Sequence, residues 1–240
     1  MDERIIAGSD TSIVIEFGDC IDRQLNARVL AAHSAIQNAG LLAVTETVPT
    51  FRSLMVHYDP LITGAKALID ELRPLLSNLG GSIGAARLWD LPACYGGDNG
   101  PDLDFVSQAA GITATETIRL HSQETYHVYM IGFLPGYPYM GDVAASLQLP
   151  RRENPRTRVP KGAIAIAKSM TAIYPLESPG GWHLIGRTPI SLFTENISQP
   201  ALLAPGDKVR FFCITSAEYL AIEADLHRGT YSPSCTGISP

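Results

Sequence analysis

The sequence lacks the motifs that mark several large functional classes. Its 240 residues contain no G-x-x-x-x-G-K-[ST] phosphate loop, no G-x-S-x-G nucleophile elbow, no H-E-x-x-H and no G-x-G-x-x-G after a strand, so the sites that these motifs build are not expected. No apolar run reaches the ~18 residues of a membrane helix. The start, Met1-Asp2-Glu3-Arg4, does not resemble a signal peptide. We therefore expect a cytoplasmic protein.

Cysteine is scarce and scattered. The four cysteines are Cys20, Cys94, Cys213 and Cys235. They form no C-x-x-C pair, which argues against a zinc site and against a dense disulfide framework. In a reducing cytosol they are expected to be ordinary thiols. Cys94 lies in a Gly-rich stretch, but no activating base adjoins it in the sequence, and no metal site is predicted.

The net charge of -6 argues against a general nucleic-acid binder, because phosphate contacts need a basic surface. Positive charge is concentrated between Arg151 and Arg187, where seven basic and two acidic residues give a net +5 and leave -11 for the remainder. Such a segment, set among Gly and Pro turns, suits an anion site. It is equally compatible with a solvated loop, and charge alone leaves both interpretations open.

Glycine and proline are abundant: 21 and 17 residues, or 38 of 240. This fraction, about 16% against a usual ~12%, favours a turn-rich β fold. Strand and helix patterns over residues 1–84 predict a small N-terminal α/β domain, with its boundary in the run Gly80-Gly81-Ser82-Ile83-Gly84. Residues 85–240 have the pattern of many short strands, which predicts a β-barrel or sandwich. From about His227 a loose tail is predicted. The predicted fold class is α+β.

Two turn-rich segments have the composition of a small-ligand site. In residues 177–183, paired glycines allow a sharp turn that would bring Glu177 and His183 together for proton transfer. The same residues suit an ordinary β-turn. Residues 132–141 hold three aromatic side chains among glycines and prolines, which suits the wall of a pocket or a loop that caps the β domain. The residues alone thus predict a two-domain protein that binds a small anionic ligand.

Several long motifs carry a family resemblance. They are His121-Ser122, Tyr129 to Phe133 with Pro135 to Tyr139, Pro155 to Pro160, Ile173 to Trp182 continuing to Ile185 to Pro189, and Pro205 to Phe211. With these motifs the sequence resembles the KipI / PxpB family, also described as allophanate hydrolase subunit 1-like and as the B component of bacterial 5-oxoprolinase. The match extends to Pro92 to Gly97 and, more loosely, to Ile13 to Gly18.

The resemblance implies a C-terminal cyclophilin-like β-barrel behind the small N-terminal domain. It also implies that the chain is the B component of an ATP-dependent 5-oxoprolinase, which converts 5-oxo-L-proline to L-glutamate. This component would be inactive without its partners. The implied partners are a KipA-like protein, which is the C component, and a LamB/YcsF-like protein, which is the A component. ATP, with Mg, would be a co-substrate that activates the lactam by phosphoryl transfer. No tightly bound cofactor is expected.

The resemblance gives the candidate residues roles. Four basic residues are expected to bind anionic groups of the substrate or phosphate: Arg156, Arg158, Lys161 and Arg187. Tyr139 is expected to wall the pocket. Glu177 with His183 is expected to assist proton transfer.

One segment departs from the family pattern. Where family members commonly read Gly-Gly-Gln-Thr-Gly, this chain reads Lys168-Ser169-Met170-Thr171-Ala172. This departure keeps open a paralogue that acts on another amide, such as allophanate. A second alternative is a KipI-type inhibitor whose barrel surface binds a sensor histidine kinase. Replacing Arg158 or Arg187 with alanine would abolish turnover by an enzyme complex but leave kinase inhibition largely intact.

Overall fold

The computed structural model describes residues 3–79 and 86–238. They form two compact units whose division falls between Ala86 and Arg87. The domain boundary predicted within residues 80–84 lies outside the described residues. Each unit has its own hydrophobic core.

The N-terminal unit is a four-stranded antiparallel sheet packed with two helices. Its elements are β1 (Arg4–Ser9), β2 (Ser12–Glu16), α1 (Arg23–Ala39), β3 (Val44–Pro49), β4 (Ser53–Tyr58) and α2 (Ala65–Ser77). The strand order is β1-β2-β4-β3. Alternate residues of β4 point into the core, beginning with Leu54 and Val56, and α1 adds Val29 and Ile36 from one face.

Local signals fix the ends of α1. The Asp22 carboxylate accepts hydrogen bonds from the backbone N–H groups of Gln24 and Leu25 at 2.8 and 3.0 Å. Gly40 ends the helix in the left-handed conformation, with φ of 58°. These two signals bound the helix at Arg23 and Ala39. Helix α2 continues through Pro74 to Ser77 and is not split there.

The C-terminal unit is built around a closed barrel. Its elements are β5 (Ala86–Tyr95), α3 (Leu103–Ala110), α4 (Ala114–Ser122), β6 (Thr125–Ile131), β7 (Pro138–Gly141), β8 (Arg156–Val159), β9 (Ala163–Ala167), β10 (Met170–Ile173), β11 (Ser178–Gly180), β12 (His183–Arg187), β13 (Lys208–Cys213), α5 (Ser216–Arg228) and β14 (Ser234–Ile238). Among the described residues, seven strands close the ring in the order β5-β12-β9-β10-β7-β6-β13. Only β13 and β5 run parallel among these seven pairs. Strand β14 extends the sheet beside β5, and β8 and β11 form a separate two-stranded ribbon.

The predicted α+β class, with a small first domain and a β-barrel, is confirmed. The C-terminal segment predicted to be a loose tail contains regular structure: α5 continues to Arg228, and Ser234–Ile238 form β14. A capping box between Thr215 and Glu218 starts α5, which the strand patterns did not predict. Not every short β-prone run forms a strand: Phe193, in the run from Ile190, makes only an isolated bridge with Ala201 in the described structure.

A polar network crosses the otherwise apolar barrel core. The side chain of His121, fully buried, accepts at Nδ1 from the Tyr95 hydroxyl at 2.8 Å and donates from Nε2 to the Thr171 Oγ1 at 3.0 Å. Thr171 in turn donates to the Ala165 carbonyl oxygen at 3.1 Å. Because the threonine proton is used there, Thr171 must accept from His121, and this fixes the donor and acceptor of each hydrogen bond in the series. Burial lowers the pKa of His121 to about 3 and raises that of Tyr95 well above its usual value. Both groups are therefore neutral at pH 7.

This histidine should make the C-terminal unit sensitive to acid. Because its pKa is near 6.5 when unfolded and about 3 when folded, its contribution to stability is complete above pH 6.5 and is lost as pH falls towards 3. One such group changes the unfolding free energy by about 1.4 kcal/mol per pH unit in that window. Urea unfolding at pH 7 and pH 5 should show this slope, and His121→Gln should reduce it. An equal slope in both proteins would contradict the prediction.

Candidate functional site

Strand β12 separates the predicted site residues into two groups. His183 begins the strand and Arg187 ends it, so at ~3.3 Å per residue they lie about 13 Å apart along the chain. The candidate residues are therefore distributed between two depressions on the C-terminal unit. We call them the lysine-arginine cleft and the arginine-histidine cavity.

The lysine-arginine cleft has a volume of about 540 Å³. Its lining is mixed, with two cations, several hydroxyl groups and apolar side chains: Lys161, Arg187, Thr188, Pro189, Ile190, Ser191, Thr194, Leu202, Tyr219, Glu223, Leu226, His227 and Pro233. Two of the predicted anion-binding residues, Lys161 and Arg187, thus share one cleft.

Pairing between β9 and β12 brings these two cations together. Arg187 lies opposite Ala163 in the register, directly beside the turn that carries Lys161. The Arg187 Nε donates to the Lys161 carbonyl oxygen at 2.8 Å. Gly162 makes the close turn possible: its φ is +82°, and a Cβ there would lie 2.3 Å from the Thr188 carbonyl oxygen. Any larger residue at 162 would push the two strands apart.

The cations of the cleft are available to a ligand. In the part of the chain that the structure describes, neither Lys161 nor Arg187 forms an ion pair with an acidic side chain. Lys161 Nζ lies 3.1 Å from the Ser191 Oγ, and the Arg187 guanidinium lies 5.9 Å from the centre of the Tyr219 ring. Glu223 is the acidic residue in the lining. A lysine point charge beside a planar guanidinium suits a carboxylate or phosphate.

The arginine-histidine cavity has a volume of about 450 Å³. It is lined by Phe105, Leu149, Pro150, Arg151, Arg152, Glu153, Asn154 and His183. The His183 side chain is buried, and its Nε2 donates to the Pro150 carbonyl oxygen at 2.9 Å. Its ring stacks on Phe105 with centroids 5.3 Å apart. The imidazole is thus held from its edge and from one face.

A buried carboxylate next to this cavity organises its arginines. Asp102 accepts two hydrogen bonds from Arg156, both at 2.8 Å, one from Arg152 at 3.0 Å and one from the backbone N–H of Leu184 at 2.7 Å. Burial alone would raise the pKa of Asp102, but the bonds from Arg156 and Leu184 and the charges of both arginines bring it below its usual value. Asp102 stays ionised and holds Arg156 in place.

Sequence reasoning missed Asp102. Its partners are 50, 54 and 82 residues away in the chain, so no local motif links it to them. It lies directly before α3, at the N-cap position, yet its side chain makes no capping bond there. The excess of arginines just after residue 150 was the one available signal that a carboxylate partner was needed.

Arg158 and Glu177 form an exposed ion pair. The Arg158 Nε and Nη2 donate to the two carboxylate oxygens of Glu177 at 2.9 and 3.1 Å, and both side chains are more than half exposed. His183 instead bonds to Pro150, and within the described residues no hydrogen bond joins it to Glu177. The structure therefore does not place Glu177 against the imidazole, and proton transfer by the two residues stays a prediction.

Tyr139 belongs to an aromatic cluster next to the cavity. The cluster comprises Tyr137, Tyr139, Tyr174 and Trp182. The Tyr139 and Trp182 rings lie 6.0 Å apart, and the Arg151 guanidinium lies 5.7 Å from the Trp182 ring. Burial raises the pKa of Tyr139, so its hydroxyl stays protonated at neutral pH. Tyr139 does not itself line either depression.

The segment that departs from the family pattern lies in a β-hairpin. Lys168 forms the turn between β9 and β10 with φ of +51°, and Met170 and Ala172 are buried in β10. None of residues 168–172 lines the cleft or the cavity. The substitutions change the barrel wall and leave the two linings as they are.

Neither a cluster of metal-ligating side chains nor a membrane-spanning helix occurs in the described residues. Across residues 3–79 and 86–238, no three His, Cys, Asp or Glu side chains are grouped so that they could hold a metal ion. No helix in the described structure combines the length and apolar character needed to cross a membrane.

Comparison of the sequence with known proteins identifies one family. The model described as "Carboxyltransferase domain, subdomain C and D" matches residues 4–203. The chain is 34% identical over 227 residues to a Bacillus subtilis protein that is named as the B subunit of 5-oxoprolinase. That alignment covers 90% of this chain and 95% of the relative. The family match spans the basic segment from Arg151 to Arg187.

Two solved structures with the same fold are parts of chains longer than this one. The crystal structure of TTHA0988 matches with a TM-score of 0.76 and 35% identity, over 85% of this chain and 40% of that protein. The urea amidolyase of K. lactis matches with a TM-score of 0.81 over 98% of this chain and 16% of that protein. At 20% identity the second likeness concerns the fold alone.

Proposed function

We propose the function of this chain from the premise that it belongs to the KipI / PxpB family, the B components of 5-oxoprolinase. It is the B component of an enzyme complex that opens 5-oxo-L-proline to L-glutamate. The observation that carries this proposal is the similarity to the Bacillus subtilis protein along 90% of the chain, at 34% identity. The free cations of the lysine-arginine cleft fit an anionic substrate.

In the proposed complex, the lysine-arginine cleft binds an anionic group, either the substrate carboxylate or a phosphate of ATP. Lys161 and Arg187 are suited to this role because neither has an acidic partner in the described structure. Arg156 and Arg158 each bind a carboxylate within the chain. Arg156 therefore supports the cavity wall through Asp102, and Arg158 would bind a ligand only by releasing Glu177.

The chemistry requires more than this chain. A lactam carbonyl is a poor electrophile, and phosphoryl transfer from ATP to its oxygen would make attack by water feasible. The proposal therefore includes MgATP as a co-substrate and partners of the KipA-like and LamB/YcsF-like kinds, in the cytoplasm. The Bacillus subtilis relative is named as one subunit of an enzyme, which supports the existence of partner proteins.

The direct test is ATP-dependent release of glutamate from 5-oxo-L-proline. We expect release from the chain mixed with its KipA-like and LamB/YcsF-like partners, and none from the chain alone or from the mixture without ATP. Allophanate and urea serve as competing substrates in the same mixture. Turnover of either of these without turnover of 5-oxo-L-proline would favour the paralogue. No turnover by the folded proteins, together with binding to a sensor histidine kinase, would favour the inhibitor.

A further inference from the structure

We infer that the arginine-histidine cavity binds the amide edge of the lactam ring, with the ring nitrogen on His183 and the ring carbonyl on Arg152. This inference rests on the proposed function and identifies the place where its substrate is recognised. Two atoms point to it: the Nε of Arg152 and the Nδ1 of His183 are buried and have no hydrogen-bond partner among residues 3–79 and 86–238. Buried polar atoms without partners are uncommon in folded proteins and destabilise them.

The two atoms differ in what they require. His183 donates from Nε2 to the Pro150 carbonyl oxygen, so Nε2 carries the proton and the neutral imidazole has a lone pair at Nδ1. The Nε of Arg152 always carries a proton. The cavity therefore offers one acceptor and one donor, and these two atoms are not bonded to each other.

A lactam fits this pair better than a peptide does. Its amide is held cis by the ring, so the N–H and the C=O lie on the same side and both point to the same wall of a cavity. An ordinary secondary amide is trans, with these groups on opposite sides. A carboxylate offers acceptors only and leaves the His183 lone pair unsatisfied. The chemical class is thus a small cis amide, and primary amides such as urea share its edge.

The rest of the cavity suits the remainder of 5-oxo-L-proline. Arg151 lines it and forms no ion pair within the described residues, so its guanidinium is available to the substrate carboxylate. Of the two anions proposed for the lysine-arginine cleft, this leaves a phosphate of ATP. Phe105 offers an apolar surface to the ring methylenes and is 55% exposed. Glu153, the acidic residue of the lining, is exposed. Because both unpartnered atoms are buried, binding has to displace the exposed Phe105 ring that stacks on the imidazole.

Two conservative variants distinguish the roles of the two ring nitrogens of His183. His183→Gln places an amide near Nε2 and preserves the bond to Pro150, but it removes the acceptor at Nδ1. His183→Asn places an oxygen near Nδ1 and loses the bond to Pro150. If Nδ1 binds the lactam N–H, His183→Gln should weaken binding about tenfold or more, the effect of one buried hydrogen bond. His183→Asn should retain most of the affinity.

The probes for the titration are 5-oxo-L-proline, its N-methyl derivative and L-proline, each measured calorimetrically on the full chain and on the assembled complex without ATP. We expect 5-oxo-L-proline to bind at least about tenfold more tightly than the other two, because N-methylation removes the N–H donor and L-proline lacks the ring carbonyl. Arg119→Ala, which removes an exposed arginine elsewhere, is the matched control and should bind like wild type.

Equal affinity for the N-methyl derivative, or unchanged affinity in His183→Gln on both the chain and the complex, would overturn the inference. The inference would also be overturned if 5-oxo-L-proline bound neither to the chain alone nor to the complex. In that case a water molecule could satisfy both atoms, since it donates and accepts. Failure of the proposed function looks different: the mixture releases no glutamate although the chain binds 5-oxo-L-proline through His183. Glutamate release with an unchanged KM in His183→Gln would uphold the function and remove the inference.

Discussion

The Asp102→Ala variant is expected to lose about 3–5 kcal/mol of unfolding free energy in the C-terminal unit, because removing one partner of a buried ion pair leaves uncompensated charge. Asp102 accepts bonds from Arg152, Arg156 and the Leu184 amide. Truncation would leave both guanidinium groups and one backbone N–H without their acceptor. Asp102→Asn should cost less, since it keeps one oxygen for Leu184.

Tryptophan fluorescence makes the measurement specific to this unit. The chain has two tryptophans, Trp89 and Trp182, and both lie in the C-terminal unit. Urea unfolding followed by their emission should show the loss in Asp102→Ala. Glu116→Ala, which removes an exposed carboxylate paired with Arg119, should unfold at nearly the wild-type urea concentration. A loss in Asp102→Ala no larger than that of the control would contradict the buried-network interpretation.

The same carboxylate should contribute to acid sensitivity. Although burial opposes it, the bonds from Arg156 and Leu184 lower the pKa of Asp102 below that of an unfolded aspartate, near 4. Its stabilisation is thus complete above pH 4 and is lost as pH falls further. The pH range in which Asp102 loses its stabilisation lies below most of the range in which His121 does. Urea midpoints measured from pH 7 to pH 3 should therefore show the two losses separately. Asp102→Asn should flatten the lower part of the curve only.

The second large effect concerns turnover by the assembled complex. Arg187→Ala and Lys161→Ala are each expected to lower kcat/KM for 5-oxo-L-proline about 100-fold, which corresponds to about 2.7 kcal/mol of transition-state stabilisation. The reason is that both cations face the cleft without an acidic partner in the described structure. Arg187→Lys should recover only part of the loss, because lysine lacks the planar fork and the Nε donor to the 161 carbonyl.

Controls for the cleft variants use arginines in other settings. Arg119→Ala should leave kcat/KM unchanged, and Arg158→Ala should lower it less than Arg187→Ala, because Arg158 is occupied by Glu177. Circular dichroism and the tryptophan unfolding curve would show that each variant is folded. If Arg158→Ala costs as much as Arg187→Ala, the exposed pair and not the cleft is the anion site.

Local chemistry accounts for what could be predicted of the fold. The caps of α1, the alternation in β4 and the turn-rich second half are short-range patterns, and they predict the α+β class and a barrel or sandwich. The choice of a barrel came from the family resemblance. Helix α5 was not predicted although Thr215 and Glu218 form a capping box. Its low amphipathicity explains this: Tyr219 is its one buried residue, so no apolar period marks it.

The site was predictable only in part, because its geometry depends on pairing between distant strands. Composition identified the basic segment, yet the β9–β12 register decides that Lys161 and Arg187 share a cleft. The expected meeting of Glu177 with His183 assumed a compact turn between them. Instead, β11 pairs with β8, and this pairing places Glu177 beside Arg158. Tertiary contacts of this kind leave no mark in the local sequence.

The way the barrel closes has a consequence for biosynthesis. Strand β5 pairs with β12 and with β13, whose residues follow it by roughly 90 and 120 positions. On the ribosome, β5 therefore emerges long before either partner strand and cannot be covered until both have been made. The N-terminal unit has all its strands within residues 4–58 and can fold during that delay. Folding of the nascent barrel is thus a late event that depends on long-range contacts and should be slow.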